Sequence, residues 1–195
     1  MFFDTKVEIS ARHIHLSSEH LAKLFGKNYK LNRLKDLSQP GLFAAKERIT
    51  CQFVGGRRLE DVRIIGPFRN YTQVEISKTD AYILGINPPI RRSGDLTNSE
   101  KCRLIGPQGY VDLQEGVIIA QRHLHIDDLA AQRYDIKDGQ LLSLKIDSAE
   151  KLETIYKVLA RVSPNFSLAC HLDIDEGNAA GITKIGMGKI NLDTD

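Results

Sequence analysis

An eight-residue segment occurs twice in this chain, and any fold proposed for it has to accommodate both copies. Ser10-Ala11-Arg12-His13-Ile14-His15-Leu16-Ser17 is matched by Ala120-Gln121-Arg122-His123-Leu124-His125-Ile126-Asp127. Sequence with helical character follows each copy, Ser18 to Phe25 before Gly26 and Asp128 to Tyr134. Ser17 and Asp127 fall at N-cap positions, where a side-chain oxygen can accept from a free backbone N–H, and Glu19 and Asp128 place acid in the first turn. The order strand, cap, short helix is therefore predicted twice.

A weaker match lies later in each half. Asn70 to Glu75 resembles Asn165 to His171 with one residue inserted, and Glu75, Asp80, Gly85 and Ile86 then align without gaps to His171, Glu176, Gly181 and Ile182. This alignment sets Glu75 opposite His171. Between these segments, short apolar runs end at glycine-containing turns and read as strands: Arg48 to Val54, Leu59 to Ile65, Gln73 to Ser77, Lys101 to Ile105, Leu141 to Ile146 and Thr154 to Val162. Asn87 to Ser99, with Pro88-Pro89 and Ser93-Gly94, reads as a linker. The expected fold is mainly β, with two β-barrel domains, short capping helices and an internal pseudo-repeat. The expected units are residues 1–92 and 93–195, with strand exchange between them left open.

The 195 residues suffice for two small barrels, and 42% hydrophobic with 27% charged residues is ordinary for a globular chain. A formal charge of +2 gives nucleic-acid binding no electrostatic basis. No run approaches the roughly 18 apolar residues of a membrane span. Met1 to Lys6 lacks the features of a signal peptide, so the chain is expected to stay where it is made. Cys51, Cys102 and Cys170 form no CxxC pair and read as small buried hydrophobes. On a strand, Cys170 and His171 point to opposite faces and do not share a metal.

Four of the six histidines form the two His-x-His pairs. Residues two apart on a strand share a face, about 6.6 Å apart along it, so both imidazoles can converge on one ion. Neutral imidazole suits zinc, and a carboxylate can complete such a site. The repeat nominates Glu75 and His171 as third ligands, giving His13, His15 and Glu75 in one set and His123, His125 and His171 in the other. Three protein ligands leave an open position, as in catalytic zinc sites. The alternatives are two buried, hydrogen-bonded histidine pairs inherited by duplication and a solvent-facing Glu75. His20 has no repeat counterpart and reads as a helix-surface residue. Arg69, in Gly66-Pro67-Phe68-Arg69-Asn70, reads either as a solvated loop residue or as an anion-binding fork. The chain has no glycine-rich phosphate loop and no nucleophile elbow.

The first repeat copy, Asp36-Leu37-Ser38-Gln39-Pro40-Gly41, Gly66-Pro67-x-Arg69, Arg92-Ser93-Gly94-Asp95 and the second Arg-His-x-His together closely resemble the PduL-type phosphotransacylases (phosphate propanoyltransferases). The similarity runs from about Val7 to Ile190. It implies two β-barrel domains with two zinc ions in an active site between them, held by the two ligand sets above. It further implies that Arg69 handles phosphate and that Ser10, Lys35, Arg63, Ile65 and Asn178 line the coenzyme A site. Family members packaged in microcompartments often carry an extra N-terminal amphipathic segment, for which this chain leaves no room. A free cytoplasmic enzyme is therefore expected.

The implied reaction moves a short acyl group, propionyl or acetyl, reversibly between coenzyme A and inorganic phosphate. Acyl-CoA, phosphate and acyl phosphate are then the partners, with direct transfer and no covalent enzyme intermediate. A homodimer is compatible with these residues. A dizinc thioesterase or other hydrolase would need the same ligands but use water as acceptor. A zinc-stabilised, non-enzymatic binding module would need four protein ligands per ion, whereas each set holds three.

Overall fold

The computed structural model describes residues 1–148 and 152–192. Along the chain the elements are β1 (Phe2–Ser10), β2 (His13–His15), α1 (Ser18–Phe25), β3 (Arg33–Asp36), β4 (Phe43–Gln52), β5 (Arg58–Gly66), β6 (Gln73–Glu75) and α2 (Lys78–Leu84). There follow β7 (Ile90–Arg91), β8 (Glu100–Ile105), β9 (Tyr110–Ala120), β10 (His123–Ile126), α3 (Asp128–Arg133), β11 (Leu141–Ser148), β12 (Leu152–Val162), β13 (Ala169–Asp173), α4 (Ile174–Ala179) and β14 (Ile185–Asn191). Two compact units result: residues 12–120, here the N barrel, and residues 1–11 with 121–195, the C barrel.

Both units are closed rings of six strands with one pairing scheme. In the N barrel the order is β4-β5-β2-β6-β9-β8, returning to β4, with β3 and β7 added to β4 and β9. In the C barrel it is β11-β12-β10-β13-β1-β14, returning to β11. Position by position the directions agree: β5–β2 and β12–β10 are parallel, β2–β6 and β10–β13 antiparallel, β6–β9 and β13–β1 parallel. Closure leaves no unpaired edge within the ring. The strand leading into each His-x-His pair completes the other barrel: β1 belongs to the C barrel and β9 to the N barrel.

This exchange moves the unit boundaries to 11/12 and 120/121, away from the 92/93 division expected from composition. The 87–99 segment, expected as a linker, is bonded into the N barrel. Its β7 pairs with β9, the Gly94 N–H donates to Gln73 Oε1 at 2.8 Å, and the Gly116 N–H donates to Ser99 Oγ at 2.8 Å. Proline and glycine marked a turn-rich path there, but these bonds hold it in place.

Strand alternation directs the cores. Ile14 and its register partner Val74 are fully buried among Leu16, Ile64, Leu104 and Val117. Leu124 and its partner Cys170 are buried among Val7, Leu142, Leu144 and Ile190. Each such leucine or isoleucine contributes about 1.5–3 kcal/mol by burial. With Ile14 and Leu124 committed inward, the flanking histidines must project from the other face. Cys170 and His171 accordingly point to opposite faces.

Among the described residues, a short helix follows each of β2, β6, β10 and β13. Ser17 and Asp127 are the N-caps of α1 and α3, as expected, accepting from the His20 and Ala130 N–H groups. Ser77 and Asp173 begin α2 and α4 with capping boxes completed by Asp80 and Glu176. Those two helices escaped the sequence reading, although Ser77-x-x-Asp80 and Asp173-x-x-Glu176 carry a capping-box signal. The left-handed Gly85 (φ 65°) closes α2, a backbone state that glycine adopts without a Cβ penalty.

Candidate functional site

In the N barrel, β2 and β6 run antiparallel with His13 directly opposite Glu75. His13, His15 and Glu75 each offer a ligand atom, and these atoms lie within 4.8 Å of one another. His13 Nε2 is 3.5 Å from Glu75 Oε2, and the His13 and His15 rings meet edge-to-face with centroids 5.0 Å apart. His15 is 3% exposed, and its Nδ1 is buried without a hydrogen-bond partner. An orphaned buried polar atom costs about 1–3 kcal/mol, a penalty that metal coordination would remove. Burial first, then the neighbouring His13 and Arg69, hold the His15 pKa well below its ordinary 6.5, against the weaker pull of Glu75 and an Ile65 backbone hydrogen bond. His15 is thus neutral at pH 7, the state in which imidazole binds metal.

Glu75 is oriented by two residues that the sequence reading missed. Its Oε1 accepts from Gln73 Nε2 at 2.5 Å and from Ser93 Oγ at 3.0 Å, leaving Oε2 on the His13 side. Gln73 is fully buried; besides holding Gly94 through Oε1, its Nε2 also reaches Ser93 Oγ at 2.8 Å. Such carboxylate supports fix ligand geometry. Gln73 could have been flagged by its spacing, since it shares a strand face with Glu75. Ser93 lay in text read as linker.

Arg69 adjoins the same network. Its Nη1 donates to Tyr71 Oη at 3.2 Å and to Ser93 Oγ at 3.4 Å, so Ser93 links the guanidinium to the Glu75 carboxylate. The Arg69 N–H donates to the Leu16 carbonyl at 2.8 Å, tying its loop to the end of β2. Arg69 is half-buried, unlike a freely solvated loop arginine.

The C barrel repeats the three-ligand arrangement with imidazoles only. β10 and β13 place His123 opposite His171, and His123, His125 and His171 offer ligand atoms within 4.8 Å of one another. Ring centroids lie 4.6 Å apart for His123–His125, 5.2 Å for His123–His171 and 4.8 Å for His125–His171. His123 Nδ1 is 2.8 Å from the Gln121 carbonyl, which can only accept, so this nitrogen carries the proton and Nε2 keeps its lone pair. Phe166 stacks on His125 with centroids 3.9 Å apart, while Glu8, the register partner of His171, brings Oε2 to 4.0 Å from His171 Nδ1. Gln121, Phe166 and Glu8 were all missed: Glu8 lies outside the repeat, the backbone acceptor of Gln121 leaves no sequence signal, and Phe166 carries no donor atom. One set of two nitrogens with a carboxylate and one of three nitrogens both suit zinc.

The five residues expected at a coenzyme A site are divided between the units. Arg63 on β5 is the register partner of His13 and donates to the Ala45 carbonyl at 2.5 Å. Ile65, on the same strand, supplies the backbone bond to His15. Lys35 is exposed on β3, which among the described residues pairs only with β4 and is separated from β2 by β4 and β5. In the C barrel, half-buried Ser10 pairs with Asp173, the cap of α4, and Asn178 is exposed within α4.

His20 differs from the surface residue expected: it is half-buried, and its Nδ1 lies 2.8 Å from Thr72 Oγ1. Thr72 also accepts from the Ser17 N–H at 2.9 Å, so α1 is latched to the segment before β6. The three cysteines are all buried and free. Among the described residues, no helix is long and apolar enough to cross a membrane.

Comparison with known proteins gives a consistent result. Residues 6–183 match the family model described as phosphate propanoyltransferase. Phosphate propanoyltransferase of Lachnoclostridium phytofermentans is 45% identical over 181 residues, covering 93% of this chain and 84% of that protein. The protein of that name from Thermotoga maritima is 46% identical over 174 residues, covering 89% and 82%, and that from Priestia megaterium is 46% identical over 184 residues, covering 94% and 84%. The chain belongs to the phosphate propanoyltransferase family.

Proposed function

We propose that this chain is a phosphate acyltransferase that exchanges a short acyl group, propionyl or acetyl, between coenzyme A and inorganic phosphate, with a zinc ion at each three-ligand group. The observation that carries the reading is the join between Arg69 and Glu75 through Ser93. It puts an anion-binding fork and a metal-ligand set on one hydrogen-bonded network. Family membership and the donor sets support the same reading.

His13, His15 and Glu75 would hold one zinc, and His123, His125 and His171 the other. When bound, zinc supplies a Lewis acid for a thioester carbonyl or a thiolate. The remaining work belongs to the chain. Arg69, braced by Tyr71 and Ser93, offers a planar fork that matches two phosphate oxygens. Holding the phosphate fixed against the acyl carbon removes much of the entropic cost of a two-substrate reaction. The acyl carbon–sulfur bond breaks as a carbon–oxygen bond to phosphate forms, and coenzyme A leaves as the thiolate. The buried cysteines are not presented as acyl acceptors, in keeping with direct transfer. Ser10, Lys35, Arg63, Ile65 and Asn178 are assigned to coenzyme A.

The test follows thiol release from propionyl-CoA with and without phosphate, together with acyl phosphate formation. Release that requires phosphate and yields acyl phosphate supports the transferase. Release at the same rate without phosphate, giving free acid, would assign the site to a hydrolase.

A further inference from the structure

The arginine that begins each Arg-His-x-His segment is a metal ligand in neither set, yet it occurs in both copies. Arg12 Nη2 lies 2.7 Å from Asp80 Oδ1, and Arg122 Nη1 lies 2.7 Å from Glu176 Oε1. Each acid is the fourth residue of a capping box, and its second oxygen is used there: Asp80 Oδ2 accepts from the Ser77 N–H at 3.3 Å, and Glu176 Oε2 from the Asp173 N–H at 3.0 Å. One carboxylate therefore caps a helix with one oxygen and grips an arginine with the other, in both barrels.

The pairs bracket the ligands. Arg12 adjoins His13, which faces Glu75, and Asp80 lies in the first turn of the helix that follows Glu75. Arg122, His123, His171 and Glu176 repeat the arrangement. Each ion pair thus ties the start of the His-x-His strand to the far end of the third-ligand strand. β2 and β6 have three residues each, too few for backbone pairing alone to hold a ligand geometry firmly. Asp80 is almost fully buried, so the contact on its side is shielded from water.

We infer that Arg12–Asp80 and Arg122–Glu176 are duplicated positioning clamps, each setting the third ligand against its histidine pair and so tuning the metal affinity of its own barrel. The inference rests on the metal-site reading above. Arg12 and Arg122 act through the ligand strands, without touching metal or substrate.

The experiment uses the full chain carrying His171→Ala, so that the N-barrel group is the one measured, and titrates zinc against a competing chelator. Arg12→Ala should weaken binding about tenfold, as loss of outer-shell support does elsewhere. Arg12→Lys, which keeps a donor for Asp80, should recover most of it. The thermal midpoint reports whether the variant remains folded. Unchanged affinity in Arg12→Ala, or no recovery in Arg12→Lys, overturns the clamp. If the parent protein takes up no zinc, the metal reading fails, and hydrogen exchange on the metal-free chain still decides the clamp. Arg12→Ala should then speed exchange at His13–His15 and not at His123–Ile126. Equal exchange at both overturns it.

Discussion

Glu75 stands directly across the β2–β6 pair from His13, with Oε2 3.5 Å from His13 Nε2, in the place that His171 takes against His123. A carboxylate and an imidazole thus fill one structural position in the two barrels. Glu75→Ala should remove one metal per chain, read by elemental analysis, while the C-barrel site stays loaded. Glu75→His recreates the C-barrel donor set and should retain metal at both sites. Loss of both metals from Glu75→Ala would contradict independent three-ligand groups.

Gln73 is buried and bonded to Glu75, Ser93 and Gly94. Gln73→Leu leaves the Gly94 N–H and the Glu75 carboxylate short of partners, which should cost about 1–3 kcal/mol of stability. Ser93→Ala removes a smaller contact and should lower zinc affinity with little change in the urea midpoint. A wild-type zinc titration for Ser93→Ala would show that the Glu75–Arg69 link is incidental.

Arg69→Lys keeps the charge and loses the planar fork, so it should not restore phosphate-dependent turnover. Arg69→Ala should lower turnover on the order of a hundredfold, as removal of electrostatic stabilisers does elsewhere. Zinc content and thermal stability should be preserved. Steady-state rates at varied phosphate and saturating acyl-CoA are the measurement, and near-normal phosphate kinetics would return Arg69 to a purely structural part.

Burial lowers the folded-state pKa of both His15 and His20 from 6.5. The unfolded chain therefore binds protons more readily than the folded one between those values, and stability contributed above pH 6.5 is lost as the pH falls through the folded values. Metal-free protein should lose denaturant resistance on acidification below about pH 6.5, and zinc should offset part of the loss at moderate acidity. A flat urea midpoint for metal-free protein between pH 7 and pH 5 would contradict the burial.

His20→Ala removes the contact to Thr72, which should cost about 1 kcal/mol while leaving metal content unchanged. Loss of zinc from this variant would require redrawing both ligand sets.

The sequence alone determined the candidate donor types, their pairing within strands and the two-barrel class, because these follow from local rules: period-2 alternation, N-cap chemistry and a segment used twice. Glu75 and His171 were legible only through the repeat, since a lone strand carboxylate is ordinarily solvent-facing. Tertiary structure decided which strands close which barrel. β1 precedes one His-x-His pair and completes the barrel of the other, and no local pattern in Phe2–Ser10 carries that choice, because its alternation suits either ring. Tertiary structure also decided what surrounds the ligands. Ser93 and Glu8 come from a turn and a neighbouring strand, brought beside Glu75 and His171 by chain closure. Donor identity is written in side-chain chemistry, whereas donor orientation depends on contacts between residues far apart in the chain.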